Sequence, residues 1–278
     1  MSNLKDLLEK VYSAKLWPGD PEDPDAISRF KRYHDVFKEL LERSSELHSL
    51  INSKELLKIV ELCAGSGLAG ISFSNVVSKL FNKKITLKLI DLRENSLKKY
   101  VGWEKEENVY VQYEIKNVIR DSLGSNYDIA LLFGLSTPHF SPLEMLKLLA
   151  NVSKALCDNG IVIIEEVDRI YNIFYKIGYK DLLVQSSTSD VVLSLHLNYD
   201  KRSGVFIRKF LRIYPTYEPL GDLPVFMWST ALTSSYVWMF FKNVEIVTIS
   251  NVDYIVASKP CRSIDIERIL SSSPIFKE

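Results

Sequence analysis

The chain has 278 residues, 46% of them hydrophobic, with 35 Lys and Arg balancing 35 Asp and Glu. That length can bury a sizeable core, and the apolar fraction is that of a folded globular protein rather than a disordered one. A formal net charge of zero supplies no global field to gather a phosphate backbone, which weighs against nucleic acid as a partner and leaves only a local basic patch to attract one.

Cys63, Cys157 and Cys261 show neither paired metal-ligand spacing nor an even disulfide count, which implies a reducing, cytoplasmic setting and no structural metal. The first residues are charged where a signal peptide needs apolar ones. No run approaches the roughly eighteen apolar residues of a membrane span.

Residues 2–16 carry Leu4, Leu7, Leu8, Val11 and Tyr12 at the three-and-four spacing of an amphipathic helix. Three prolines and a glycine between Trp17 and Pro24 break it into a loop, a candidate lid. Asp25 can cap a second helix whose apolar face runs through Ile27, Phe30, Tyr33, Phe37, Leu40 and Leu41.

From residue 58 onward, apolar runs alternate with helical patterns, as in a parallel sheet built from βαβ units. The expected strands are 58–62, 85–91, 109–115, 127–134 and 160–166, with helices over 67–81, 94–102 and 142–157. Gly160 is expected to cap the last of these helices.

The first run ends in Glu61 and then a turn containing Gly65, Gly67 and Gly70. Glycines there allow positive φ and leave no Cβ between main chain and ligand. With Asp91 some twenty residues on, the spacing also fits a dinucleotide fingerprint. Glu61 argues against that reading, because a carboxylate beside the turn repels a pyrophosphate but suits a ligand with a cationic amine.

The segment Glu61 to Gly67 (Glu-Leu-Cys-Ala-Gly-Ser-Gly) resembles the first motif of the class I S-adenosylmethionine-dependent methyltransferases of the small-molecule type. The resemblance implies an α/β fold with a Rossmann-like seven-stranded methyltransferase sheet. It also implies S-adenosyl-L-methionine as cofactor, held by Glu61, Ala64, Gly65 and Gly67. Asp91 would accept the ribose hydroxyls, with Leu92 beside it. Asn117, where the family usually has Asp, and the amide of Val118 would meet the adenine. Phe133 and Gly134 would lie beside the methyl group.

Three residues are candidates for the chemistry. His139 is the histidine of the loop after the fourth strand, a possible general base. Tyr33 lies on a helix resembling the one that covers the active site in many relatives, with His34 next to it. Glu166 stands with Glu165 and Asp168 at a strand end, where an acid can hold a cationic or hydroxylated acceptor. The tetrapeptide Ser136 to His139 lacks the Asn or Asp of amino-group methyltransferases acting on DNA, RNA or glutamine.

Beyond a helix near 170–180, residues 187–214 read as an inserted β hairpin, with Arg208, Phe210 and Arg212 on one face as a solvated basic edge or an anion site. Residues 215–224 read as a loop. The aromatic segment 225–241 reads as a helix, buried against the sheet or serving as the contact of a homo-oligomer. Strands 244–249 and 254–260 form a closing antiparallel hairpin.

Expected organisation is thus an N-terminal helical cover over 1–50, a methyltransferase domain over 51–260 and a tail over 261–278. The expected activity is in-line methyl transfer to a small-molecule acceptor. The rivals are a non-catalytic S-adenosylmethionine-binding protein or partner subunit and a nicotinamide-dependent oxidoreductase.

Overall fold

A computed structural model describes residues 2–187 and 189–274; position 188 of the expected hairpin and positions 275–278 of the expected tail lie outside the described residues. Five parallel strands form the larger part of one sheet: β1 (Leu56–Leu62), β2 (Lys84–Asp91), β3 (Val109–Ile115), β4 (Tyr127–Leu132) and β5 (Leu156–Glu166). β4 is buried along its whole length, as a central strand covered on both faces must be.

Two late strands complete the sheet. β11 (Val252–Pro260) runs antiparallel to β5, and β10 (Phe241–Ile249) pairs antiparallel with β11. The order is β10-β11-β5-β4-β1-β2-β3, a seven-stranded Rossmann-like sheet. The order reverses between β1 and β4, so the carboxyl ends of β1, β2 and β4 diverge around a crevice.

Side chains alternate between two helical layers. Ile59, Leu87, Leu89 and Ile129 face a core that includes Phe30, Phe37 and Leu40 of α2 (Pro24–Arg43) and Ile71 and Phe73 of α4 (Leu68–Phe81), with α3 (Ser45–Asn52) at the edge. Val60, Ile90, Ala130 and Leu132 face the other core, with α6 (Pro142–Ala155) and α7 (Thr230–Phe240). α2 is therefore a layer of the sandwich. Asp23, not Asp25, caps it, accepting from the Asp25 amide with Pro24 in the first turn.

Gly160 is not a helix cap. α6 ends at Ala155, and Gly160 lies inside β5, where the register against β4 jumps from Tyr127–Leu156 to Ile129–Ile161. A Cβ on Gly160 would come within 2.8 Å of Leu156 Cβ and 2.9 Å of the Cys157 carbonyl, so this irregularity requires glycine. The stretch expected as one helix over 94–102 divides into α5 (Glu94–Lys98) and a 3-10 turn, Lys99–Gly102.

The insertion is larger than a hairpin. β6 (Leu182–Ser186), β7 (Val191–Asp200), β8 (Val205–Tyr214) and β9 (Glu218–Val225) form a second, antiparallel sheet in that order, preceded by a π-helix over Ile170–Ile177. The expected loop at 215–224 is mostly the edge strand β9. α1 (Ser2–Tyr12) packs on this sheet, and Val11 and Ala14 share a core with Val192, Phe210, Leu220 and Leu223. Gly221 makes the approach possible: a Cβ there would meet Leu7 Cδ1 at 2.2 Å.

Arg208 and Arg212 form neither a solvated edge nor an anion site. The buried Arg208 guanidinium donates to Ser194 Oγ, the Tyr179 hydroxyl and the carbonyls of Lys180, Asp181 and Ser194. Arg212 is ion-paired with Asp190 and Glu218, each at 2.8 Å. In the aromatic segment, Trp228, Val237, Phe240 and Phe241 are buried, whereas Trp238 and Met239 are exposed. The tail contributes α8 (Ile266–Ser271), which packs on α6. No helix among the described residues is long and apolar enough to cross a membrane.

Candidate active site

The crevice begins where β1 runs into the glycine turn. Cys63, Gly65 and Gly67 all have positive φ, and Gly67 caps α4 in the left-handed region. A Cβ on Gly67 would lie 2.5 Å from Leu89 Cδ1, so a side chain there would displace Leu89 of β2 as well as strain the left-handed backbone. Trp103 supports the turn from outside: its indole Nε1 donates to Ser66 Oγ at 3.1 Å while its ring stacks on Phe30.

Glu61 lies beneath this turn. Its Oε2 accepts the Gly70 amide at 2.9 Å, satisfying one free donor in the first turn of α4. Burial raises its pKa to about 8 against the lowering effect of that hydrogen bond.

Asp91 ends β2, and its carboxylate is crowded with donors. Oδ2 accepts the Gly65 amide at 2.8 Å, Oδ1 accepts the Arg93 amide at 2.8 Å, and the Arg93 guanidinium adds one bond to each oxygen at 3.1 Å. Beside it opens a cavity lined by Leu92, Asn117, Val118, Ile119 and Cys63. Asn117 shapes its own turn, since its Oδ1 accepts the Ile119 amide and its amide donates to Asp121. Asn151 fixes the same loop through the Val118 carbonyl.

The loop after β4 closes the opposite side. Gly134 and Leu135 have positive φ, and both amides donate to Glu165 Oε2, at 2.7 and 3.1 Å. The Tyr33 hydroxyl donates to the same oxygen at 2.8 Å. Burial pushes both the Glu165 carboxyl and the Tyr33 phenol up. Phe133 packs edge-on against Tyr33 within an aromatic cluster. Tyr33 thus orders the loop that carries Gly134 and makes its polar contact with Glu165.

Glu166 is turned away from the crevice. Fully buried, it accepts from Thr137 Oγ1, the Val167 amide, Thr233 Oγ1 and the guanidinium of Arg169, which also holds the Leu135 carbonyl. The expectation that it holds an acceptor is corrected: its oxygens are spent tying loop, strand and α7 together.

His139 does line the cavity. Its Nε2 lies 2.8 Å from the hydroxyl of Tyr12, and the Tyr12 ring lies under the Arg93 guanidinium, 4.1 Å from Cζ to the ring centroid. Burial, with the neighbouring Arg93 cation, lowers the His139 pKa to about 4, while burial raises that of Tyr12 to about 12. At neutral pH both groups are therefore uncharged, and the proton they share lies on the phenol or on Nε2 according to the imidazole tautomer.

Tyr12 and Arg93 line the cavity and were missed by sequence reasoning, and Arg29 lies near Gly134. Tyr12 was legible only as an apolar helix position. Arg29 donates to the Pro18 carbonyl at 2.8 Å, and its Nη2 lies 4.0 Å from where a Gly134 Cβ would stand, but an arginine on a helix face carries no signal of this. Among the described residues no group of His, Cys, Asp and Glu is arranged to hold a metal.

No protein-family model matches the sequence, and no curated protein matches it. Solved structures do match the shape. An S-adenosylmethionine-dependent methyltransferase from Clostridium acetobutylicum superposes with a TM-score of 0.57 at 11% identity, over 82% of this chain and 90% of that one. The CcbJ methyltransferase of Streptomyces caelestis gives 0.58 at 11% identity, over 91% and 96% of the two chains. CalS10 from Micromonospora echinaspora, an amino pentose methyltransferase solved with its cofactor bound, gives 0.50 at 12% identity, over 84% and 95%.

The fold is that of the class I methyltransferases. In this methyltransferase fold the strand order, the antiparallel β10–β11 pair and the crevice at the end of β1 are all present. The second sheet and α1 are added over the same end.

Proposed function

We propose that the chain is an S-adenosylmethionine-dependent methyltransferase acting on a small-molecule acceptor. The observation that carries this reading is Asp91, whose carboxylate stands at the end of β2 against the amide of Gly65, beside an apolar slot between Leu92, Val118 and Ile119. A carboxylate in that position can accept two ribose hydroxyls, and the slot suits a planar base. The main chain at Gly65 and Gly134, bare of Cβ, supports the same fit.

Arg29, near Gly134, is a cation placed to meet the carboxylate of the cofactor's methionine part. Glu61 opposes the dinucleotide reading. It takes the Gly70 amide that a pyrophosphate would use at the start of α4, and it fills the space beneath the turn with a buried carboxyl.

The cofactor supplies an electrophilic methyl group when bound. The chain's own task is then alignment and exclusion of water, and Leu4, Leu8 and Leu223, from α1 and the second sheet, already close the cavity with apolar surface. His139 is neutral and a weak base, so it acts as a hydrogen-bonding wall of the site. A small acceptor is supported by this enclosure and by the zero net charge, and CalS10 offers a precedent in an amino sugar.

Calorimetry with S-adenosylhomocysteine and with NADH tests the cofactor: binding of the first and not the second is expected. A screen of small amines, phenols and amino sugars with labelled S-adenosylmethionine then tests turnover. Binding without transfer to any acceptor would identify a sensor or partner subunit instead.

A further inference from the structure

The Arg93 side chain stands in the place proposed for the cofactor. A carboxylate offers about four lone-pair positions, and in Asp91 all four are taken. Two are filled by the amides of Gly65 and Arg93, which suffice to orient the group. The other two are filled by Arg93 Nε and Nη2, and these are the positions a ribose diol would need.

The guanidinium also covers the bare face of Gly65, since a Cβ there would lie 3.4 Å from Nη2. On its other side it rests on the Tyr12 ring, and Tyr12 is anchored to His139. Arg93 is thus clamped between the end of β2 and α1, with its side chain only 11% exposed.

We propose that Arg93 is an internal competitor of the cofactor: its guanidinium holds the ribose-binding positions of Asp91, and the cofactor binds only after it swings out. The inference rests on the cofactor reading above. Because the same guanidinium holds Tyr12, leaving Asp91 also releases α1 from β2. Cofactor binding and the position of α1 become one equilibrium, and the apparent affinity falls by the fraction of molecules in which Arg93 is bound to Asp91.

The test compares S-adenosylhomocysteine binding to the wild type, Arg93→Met and Asp91→Ala by calorimetry, with each variant's fold checked by circular dichroism. Arg93→Met keeps the stem and removes the guanidinium, so it should bind about tenfold more tightly than the wild type, the gain expected when a competitor present in about nine molecules of ten is deleted. Stopped-flow fluorescence of Trp17, whose ring lies 5.3 Å from that of Tyr12, supplies a second readout. The wild-type observed rate should level off at high ligand as opening becomes limiting, and the Arg93→Met rate should keep rising.

Should Arg93→Met not fold, Arg93→Lys, with a single point contact in place of the fork, should still bind more tightly than the wild type. Equal or weaker binding by the folded variant, with Asp91→Ala losing affinity, would overturn the competitor while leaving the cofactor reading standing. Binding by none of the proteins would remove both.

Discussion

Glu61 Oε2 and the Gly70 amide are 2.9 Å apart, and a Cβ on Gly70 would lie 2.4 Å from that same oxygen. The third glycine of the turn is therefore there for the carboxylate. The pair gives stability a pH signature. A carboxyl with a folded pKa of about 8 and an ordinary unfolded value of 4.5 binds more protons folded than unfolded between those limits, so its contribution is full below 4.5 and is lost as pH rises through 8. Glu61→Gln keeps an acceptor for Gly70 and removes the titration. Its melting temperature should decline less steeply than that of the wild type from pH 5 to pH 8, and parallel curves would refute the assignment.

Gly65→Val should fold and lose S-adenosylhomocysteine binding. At φ +56° a β-branched residue costs about 1–2 kcal/mol, an amount a domain of this size tolerates. Its branches would stand where the ligand is to lie. Gly67→Ala is the contrasting case, because its Cβ would overlap Leu89 and damage packing between turn and β2. Circular dichroism and calorimetry on both variants separate the two effects.

Asp91→Ala should weaken S-adenosylhomocysteine binding by about 1.5–3 kcal/mol, the scale of hydrogen bonds to a charged group. A loss below about threefold in Kd, or roughly 0.6 kcal/mol, would make Asp91 only the organiser of the Gly65 turn.

The parallel strands were legible as apolar runs or alternations, most plainly β4, which is covered on both faces and apolar from Ile129 to Leu132. Asp91, Leu92, Asn117, Val118 and His139 each follow such a strand, so their meeting around one cavity was legible too. What failed were places where tertiary contact overrides local pattern. β9 contains Pro219, Gly221 and Pro224 and reads as a loop, yet it is an edge strand with both prolines exposed and Leu220 and Leu223 turned inward. Gly160 looks like a cap until the register jump in β5 is known. Arg208 looks solvated because nothing local reveals the carbonyls that surround it, and Tyr12 meets His139 across 127 positions.

Glu166→Ala should destabilise the protein by about 3–5 kcal/mol, since it leaves the buried Arg169 cation without its partner. A shift in denaturant midpoint measures this. If instead Glu166→Ala is as stable as the wild type and loses only activity, Glu166 contacts the acceptor after all.

His139 gives the opposite pH signature to Glu61. With a folded pKa of about 4 and an ordinary value of 6.5, its folded form binds fewer protons, so stability is lost as pH falls below 6.5. The imidazole stays neutral throughout pH 5–8. Methyl transfer should therefore show no inflection near 6.5 attributable to it; an inflection present in the wild type and absent in His139→Gln would restore a general base.

The last prediction separates the two parts of the N-terminal segment. α2 places Phe37 and Leu40, both fully buried, in the core that includes residues of β1 and α4, whereas α1 packs on β9 and meets the main sheet's crevice only at its rim, through Leu4, Leu8 and Tyr12. The helix of Tyr33, expected as part of a cover, is thus a core layer, because a separable cover cannot carry core residues. Removing residues 1–16 should leave a folded protein with weaker S-adenosylhomocysteine binding, since Leu4, Leu8 and Tyr12 leave the cavity wall. Removing residues 1–44 should leave no cooperative transition, because the face of α4 that packs on α2 would be stripped to solvent. Hydrogen exchange on the intact chain should agree, with α2 amides among the slowest and α1 amides among the fastest of the helices. Equal protection of α1 and α2 would mean that α1 belongs to the same cooperative unit as the sandwich, and the shorter truncation should then unfold as well.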